Sequence, residues 1–252
     1  MAAEPEQSEP QATEDGFLNG AVRVLQPAVG YRAGLDAVLL AASVSAEPGQ
    51  SLAEAGSGAG AALLCAAHRL DGIKACGFER DEAMASLARR SVGLNGFEAR
   101  VELRRHNIED RPADLENRFD LSMCNPPFFE PGTARAPGEG KQAAYVLDTP
   151  LKSWVRFLAH VTRRGGYITL VHRAAALADV LELLSPRCGE IEVLPVRPAP
   201  GLPARRILVR GRKGLRRGPV TLHAGLDLHV EPGGASSPRA AEVLAGGCLD
   251  WR

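Results

Sequence analysis

Apolar and polar positions along the chain switch between a period of two and a period near 3.6, and their order predicts an α/β fold. Residues 21–26 alternate apolar and polar, as one strand of a hairpin does, and 35–44 read as a helix opened by Gly34. A short strand from Ser51 to Glu54 or Ala55 runs into a glycine-rich turn and then a helix over 61–69. Residues 74–78, 101–105 and 119–124 read as strands. A helix over 81–95 carries acids at its start and Arg89-Arg90 near its end, as the helix dipole prefers, and Gly96 stops it. Trp154, Phe157, Leu158 and Val161 share one helical face, which reads as core. A strand over 167–172, a helix over 174–184 stopped by Pro186, and strands over 191–196 and 206–209 follow. Such alternation predicts a parallel sheet with helices on both faces, preceded by a hairpin and helix extension.

Composition adjusts this picture at the ends of the chain. Residues 1–15 are rich in Glu, Gln, Pro and Ala, hold no basic residue and follow neither period, so they read as a disordered acidic tail. Residues 16–252 then form one domain, and a 45% hydrophobic content gives it a substantial core. A net charge of zero argues against a generally basic nucleic-acid binder, so any RNA contact must come from a local patch. Cys65, Cys76, Cys124, Cys188 and Cys248 lack metal-ligand spacing and read as reduced thiols of a cytoplasmic protein. His160, His172, His223 and His229 show no ligand pattern either, so no metal is expected. No apolar run reaches spanning length, and no basic start and apolar core mark a signal peptide, so no membrane partner is expected.

Candidate chemistry sits at two strand ends. Asn125-Pro126-Pro127-Phe128 closes the apolar run Phe119–Cys124. The prolines restrict the backbone, which would hold the Asn125 side chain and the Pro126 carbonyl in one geometry beside the Phe128 ring. Two acceptors and an aromatic face suit an adenine, whose exocyclic amine presents two hydrogens. Taken alone, the motif is also an ordinary proline turn. Upstream, Gly56, Gly58 and Gly60 allow close backbone approach to a ligand at the start of a helix, a place that favours anionic groups. Glu79 ends the next strand, at the distance where nucleotide-binding folds place a ribose-binding acid, although a surface acid opening a helix would look the same. The spacing Gly-x-Gly-x-Gly departs from the dinucleotide fingerprint, and Glu54 just before it suits an amine-bearing ligand. Both details favour S-adenosylmethionine over NAD.

The glycine turn from Glu54 to Gly60, the acid Glu79 and the Asn125 to Phe128 turn, in that order, resemble a class I S-adenosylmethionine-dependent methyltransferase of the amino-methylating group. More narrowly, Gly30-Tyr-Arg-Ala-Gly-Leu-Asp-Ala-Val-Leu-Leu-Ala41 resembles the segment before the cofactor fold in bacterial tRNA1(Val) adenine-37 N6-methyltransferases. The likeness continues through Asn125–Phe129, 165–173 and 220–223, covering roughly residues 17 to 230. It implies a Rossmann-like, seven-stranded sheet. It also implies that Arg32 and Asp36 lie near the cofactor's charged groups, where a salt bridge capping the helix is the bland alternative. Gly56 and Gly58 would line the methionine portion and Glu79 would hold the ribose hydroxyls. Where the family usually has an adenine-binding aspartate, this chain offers His106-Asn107, so Asn107 would serve with less charge assistance.

The implied substrate is an adenine in RNA, most simply in a tRNA anticodon loop, where extruding a base costs less than from a duplex. Phe128 would stack on it. Phosphate contacts are expected from Lys141, Arg205 and Arg206, with Arg210, Arg212, Lys213, Arg216 and Arg217 continuing the run, although a charge run is usually a solvated face. Alanines at 143 and 144 replace a basic side chain common in the family, which weakens the assignment of a particular RNA. A protein glutamine N5-methyltransferase and a catalytically silent RNA-binding module of the same fold remain as alternatives. Oligomeric state is not legible.

Overall fold

Alternate residues of the central strands enter two separate cores, which is why helices cover both faces of the sheet. Leu52, Leu121 and Met123 belong to one core, while Ala53, Ala55 and Cys124 belong to the other. The computed structural model describes residues 11–127 and 149–251. In chain order the elements are β1 (Ala12–Phe17), β2 (Val22–Pro27), α1 (Leu35–Ser43), β3 (Ser51–Ala55), α2 (Ala61–Arg69), β4 (Lys74–Glu79), α3 (Glu82–Leu94), β5 (Val101–Arg105) and β6 (Phe119–Cys124). There follow α4 (Leu151–Val161), β7 (Thr162–Arg173), α5 (Leu177–Leu184), β8 (Cys188–Arg197), β9 (Arg206–Lys213), β10 (Val220–Leu222), β11 (Leu226–Asp227) and α6 (Pro238–Leu244).

The large sheet runs β5-β4-β3-β6-β7-β9-β8, with β9 antiparallel to both neighbours and the other pairings parallel. β10 and β11 both pair with β8 and extend that edge, so the sheet has nine strands where seven were expected. The seven long strands are all present. The two additions come from the segment after Gly211, which follows the free edge of β8 and supplies partners for its backbone groups. Strand order reverses between β3 and β6, and open α/β sheets bind ligands outside the carboxyl ends of strands at such a point. Some boundaries differ from the sequence reading. β7 starts five residues early because Thr162 already pairs with Phe119 ahead of a register shift. Residues 174–176 form a 3₁₀ turn before α5 begins.

β1 starts at Ala12, inside the stretch read as a disordered tail. Pairing decides the matter: Ala12 to Phe17 align with Pro27 to Val22, which satisfies backbone groups that composition alone leaves solvated. Val22, Val24 and Gln26 face inward, and Arg23 between them is exposed, matching the alternation seen in the sequence. The hairpin is tied to α3. Leu25 N donates to Ser91 Oγ at 2.9 Å, and Asn95 binds both the Arg23 N–H (2.9 Å) and the Arg23 carbonyl (2.7 Å), acting as a strand neighbour would.

The carboxyl-terminal segment closes the opposite flank of the same core. Leu249 N donates to Ala42 O at 2.8 Å and Trp251 Nε1 to Ser43 O at 2.8 Å, satisfying two of the carbonyls that the end of α1 leaves open. The Arg210 guanidinium lies 4.4 Å from the Trp251 ring centroid, and His223 meets the ring edge-on. Trp251 is 8% exposed. Trp251→Ala is expected to cost about 3–5 kcal/mol and lower Tm by on the order of 10 °C, checked by calorimetry.

Candidate functional site

Register places the polar candidates in one row. Cys124 pairs with Ala55, Ala55 with Phe78, and Glu79 with Arg105, so Asn125, Gly56, Glu79 and His106 emerge level at the carboxyl ends of β6, β3, β4 and β5. This is the switch point described above. The structure thus brings together the two motifs that the sequence separates by seventy residues.

The glycine turn is built tightly. Gly56, Gly58 and Gly60 all have φ in the left-handed region, at 63°, 54° and 89°. Gly56 N and Ser57 N both donate to Phe78 O, at 2.8 and 3.1 Å, which folds the turn back over β4. A Cβ on Gly56 would lie 2.2 Å from Trp154 Cη2. Trp154 therefore belongs to the core, as its helical spacing predicts, and its indole also floors the glycine turn with a buried Nε1 that makes no hydrogen bond among the described residues.

Two acids flank this turn. Glu54, on β3, is 2% exposed; its carboxylate accepts from the Leu63 amide in the first turn of α2, while Oε2 has no partner among the described residues. Burial holds its pKa well above the ordinary value; the Leu63 amide lowers it and the charge of Glu79 raises it. Glu79 accepts from Gly58 N at 2.8 Å and from Asp81 N at 2.9 Å, one bond on each oxygen. Each oxygen keeps a further lone pair. Burial raises its pKa too, against the lowering by the Asp81, Gly58 and Arg80 amides.

Asn107 follows β5. Its Oδ1 accepts from Glu109 N at 3.1 Å in a local turn, which leaves Nδ2 for other partners. Beneath the row, Phe78 meets His106, Phe119 and Phe157 edge-on with centroids 5.2–5.9 Å apart, a rigid aromatic floor.

Asn125 is half-buried and Pro126 buried. Burial, then the charges of Asp36 and Glu54, hold the Tyr31 hydroxyl above its ordinary value and the nearby Asn125 side chain lowers it, so Tyr31, a residue that sequence reasoning noted without giving it a role, lies beside the site. Its only signal was position, beside Arg32 in the segment before α1. Arg32 and Asp36 do not pair with each other. Arg32 binds Asp15, Thr13 and the Pro27 carbonyl, so it turns toward the hairpin, whereas Asp36 pairs with Arg206 of β9.

The basic run after position 204 divides. Arg205 is exposed and Arg206 is half-buried at the site end of β9, the latter engaged by Asp36. β9 is antiparallel to β8 and eight residues long, so Lys213 and the exposed Arg216 and Arg217 lie about 25 Å or more away, at the opposite end of the sheet. Arg210 pairs with Glu192, Arg212 with Glu190, and Lys213 with Asn117 and the Thr162 carbonyl. A single basic track along this run is therefore not formed. Phe128 and Lys141 lie outside the described residues. His223 pairs with Glu192 at 2.8 Å, a contact between β10's flank and β8 with no spacing signal in the sequence. Among the described residues no three acid, histidine or cysteine side chains converge as metal ligands, and no helix is long and apolar enough to cross a membrane.

Sheet order, glycine turn and strand-end acids make this the fold of the class I S-adenosylmethionine-dependent methyltransferases. A solved structure from Agrobacterium tumefaciens, described as a predicted O-methyltransferase, is 28% identical with a TM-score of 0.72 over 86% of this chain and 99% of that one. Two curated relatives carry the name tRNA1(Val) (adenine(37)-N6)-methyltransferase. The one from Haemophilus influenzae is 27% identical over 157 residues, 62% of this chain and 67% of its own length. The one from Porphyromonas gingivalis is 28% identical over 184 residues, 68% of this chain and 72% of its own length. No family model matches the chain.

Proposed function

We propose that this protein is an S-adenosylmethionine-dependent methyltransferase that transfers a methyl group to the N6 amine of an adenine in tRNA, of the tRNA1(Val) A37 type. The observation that carries this reading is the placement of Asn125 level with Gly56 at the switch point. The residues present fit the cofactor. Glu54 Oε2 is a buried acceptor without a partner, as a bound ammonium group needs. Glu79 keeps acceptor capacity for ribose hydroxyls, and Asn107 Nδ2 is left to donate to an adenine ring nitrogen. When bound, S-adenosylmethionine supplies an electrophilic methyl group.

An adenine amine is a poor nucleophile because its lone pair is delocalised into the ring. Asn125 Oδ1 and the Pro126 carbonyl accept its two hydrogens and favour a pyramidal nitrogen, stabilising the charge that develops there. Two acceptors match an amine with two hydrogens; a hydroxyl, the group methylated by an O-methyltransferase, offers only one. The prolines hold both acceptors in place, so orientation is set before the base arrives.

The tRNA substrate is read from the relatives' names together with the exposed surface beside Asn125. Tyr31 (59% exposed) lies near Asn125, and Arg205 offers an exposed charge at the same end of the sheet. Labelled S-adenosylmethionine and tRNA lacking the modification should yield N6-methyladenosine on nucleoside analysis. Labelled protein glutamine would instead support the alternative enzyme. Arg205→Glu is expected to raise KM for tRNA several-fold without changing kcat, and to flatten the salt dependence of KM, checked by steady-state kinetics at two ionic strengths.

A further inference from the structure

Between Asp148 and Asp179 the sequence contains no acid, although the chain as a whole is neutral. Lys152, Arg156, Arg163 and Arg164 fall in that gap. α4 buries Trp154, Val155, Phe157, Leu158 and Val161 and leaves Lys152 and Arg156 exposed, one turn apart on its outer side. Arg163 and Arg164 lie exposed just past its end, at the start of β7.

This helix joins the two ends of the sheet. Thr149, just ahead of it, accepts at 3.3 Å from Arg80, the residue after Glu79, and the Trp154 indole touches Gly56. Eleven residues, or about 16 Å, further on, α4 reaches the opposite end. There Lys213 donates to Thr162 O at 2.6 Å and to Asn117 Oδ1 at 2.8 Å, and Asn117 N donates to His160 O at 2.9 Å. Arg164 packs on the next turn, where a Cβ on Gly214 would lie 3.0 Å from its Cγ, and a Cβ on Gly189 would lie 2.2 Å from Arg216 O. The cations that β9 carries away from the site are thus connected back to it by the outer side of α4.

The charges on this path are not neutralised from within. Lys152, Arg156, Arg164 and Arg216 have no acid partner among the described residues, whereas Arg163 pairs with Asp120. Glu109 accepts from Ser153 Oγ at 3.5 Å rather than from Lys152, and the exposed Asp179 and Glu182 of the neighbouring α5 pair with none of them. No large apolar residue is exposed on α4, so its outer side lacks the anchors by which a membrane-surface helix or a protein hot spot holds. Spaced, unpaired cations without apolar neighbours suit a repeating anion, the phosphodiester backbone.

We propose that Lys152, Arg156 and Arg164 form a phosphate track that carries the RNA backbone from the methylation site toward the opposite end of the sheet. This rests on the RNA reading given above. A base held beside Asn125 brings its own backbone to the start of α4, and the stem joined to that loop lies along the helix, positioned through its phosphates and not read in sequence. Replacing all three residues (Lys152→Ala, Arg156→Ala and Arg164→Ala together) is expected to raise Kd for tRNA about 10- to 100-fold and to reduce the slope of log Kd against log salt by about 2 to 3. The kcat at saturating tRNA, Kd for S-adenosylmethionine and Tm should stay at wild-type values, and an oligonucleotide of the anticodon loop alone, too short to follow α4, should be methylated equally by both proteins. Wild-type Kd and slope in the variant, with tRNA still methylated, would overturn the track alone; wild-type protein that methylates no tRNA would refute the RNA reading itself. Equal losses on the loop and on full-length tRNA would place these residues at the site instead of along a track. Lost binding to vesicles of phosphatidylcholine and phosphatidylserine, with tRNA binding intact, would make this a lipid surface and also overturn the proposal.

Discussion

Asn125→Ala is expected to reduce kcat for methyl transfer by about 10²- to 10³-fold while S-adenosylmethionine binds as tightly as before. The size follows from what the side chain does. Removing one pre-oriented acceptor leaves the developing charge on the amine to the Pro126 carbonyl alone, inside a site where water cannot replace it at no cost. Sparing of the cofactor follows from register: Asn125 lies on β6, while the groups suited to the cofactor sit on β3, β4 and after β5. Stability should hardly change, because the side chain is only half-buried. Single-turnover kinetics with calorimetric Kd for the cofactor checks both halves. Parallel loss of binding and transfer would mean that Asn125 shapes the pocket rather than the reaction.

Glu54→Gln tests the cofactor side and has a pH signature. Glutamine keeps an oxygen for the Leu63 amide, so the contact with α2 survives; the charge that would meet the cofactor's ammonium does not. The expected loss of affinity is about 2–5 kcal/mol, on the order of 10²-fold in Kd or more. In the wild-type protein burial raises the Glu54 pKa, so wherever that carboxyl is protonated the ligand must displace a proton. Affinity should then tighten as pH rises, by up to about tenfold per unit below that pKa, and the glutamine variant should be flat.

Stability moves in the opposite direction. Between the ordinary value of 4.5 and its raised value, Glu54 holds a proton when folded and not when unfolded. Its contribution is complete below the ordinary range and is lost as pH rises through the raised pKa. Glu54→Gln removes that decline, so the variant should melt increasingly above the wild type as pH rises through the raised pKa, with the gap closing at and below the ordinary value of 4.5. A wild-type Kd independent of pH would show that Glu54 is not the ammonium partner.

Much of this site was legible because its residues are local punctuation. Proline and glycine restrict the backbone wherever they stand, so the turns after β3 and β6 can be read without knowing what they pack against, and period-two strands between them fix the order of strand ends. What escaped was set by contacts between distant segments. The run from Arg205 to Arg217 looks continuous in sequence, yet β9 spreads it along the full height of the sheet and its acids come from β8. Asp36 and Arg206 are 170 residues apart, so neither position hints at the other. Residues 12–15 look like tail because their partner strand begins only after the turn at Leu18 to Gly20. The two extra strands were hidden for the same reason: three exposed residues at 220–222 have no periodic signature, and only the open edge of β8 makes them a strand.

The pinning of α1 by Trp251 and Leu249 also has a bearing on biosynthesis. The bond from Trp251 to Ser43 spans 208 residues, so a helix made early on the ribosome keeps open carbonyls until Trp251 has emerged. Early-formed α1 must wait, partly uncovered, through most of the synthesis of these residues. Ribosome-bound intermediates halted before residue 249 should accordingly be open to proteolysis at α1, and chaperone dependence should end only once that stretch has cleared the exit tunnel.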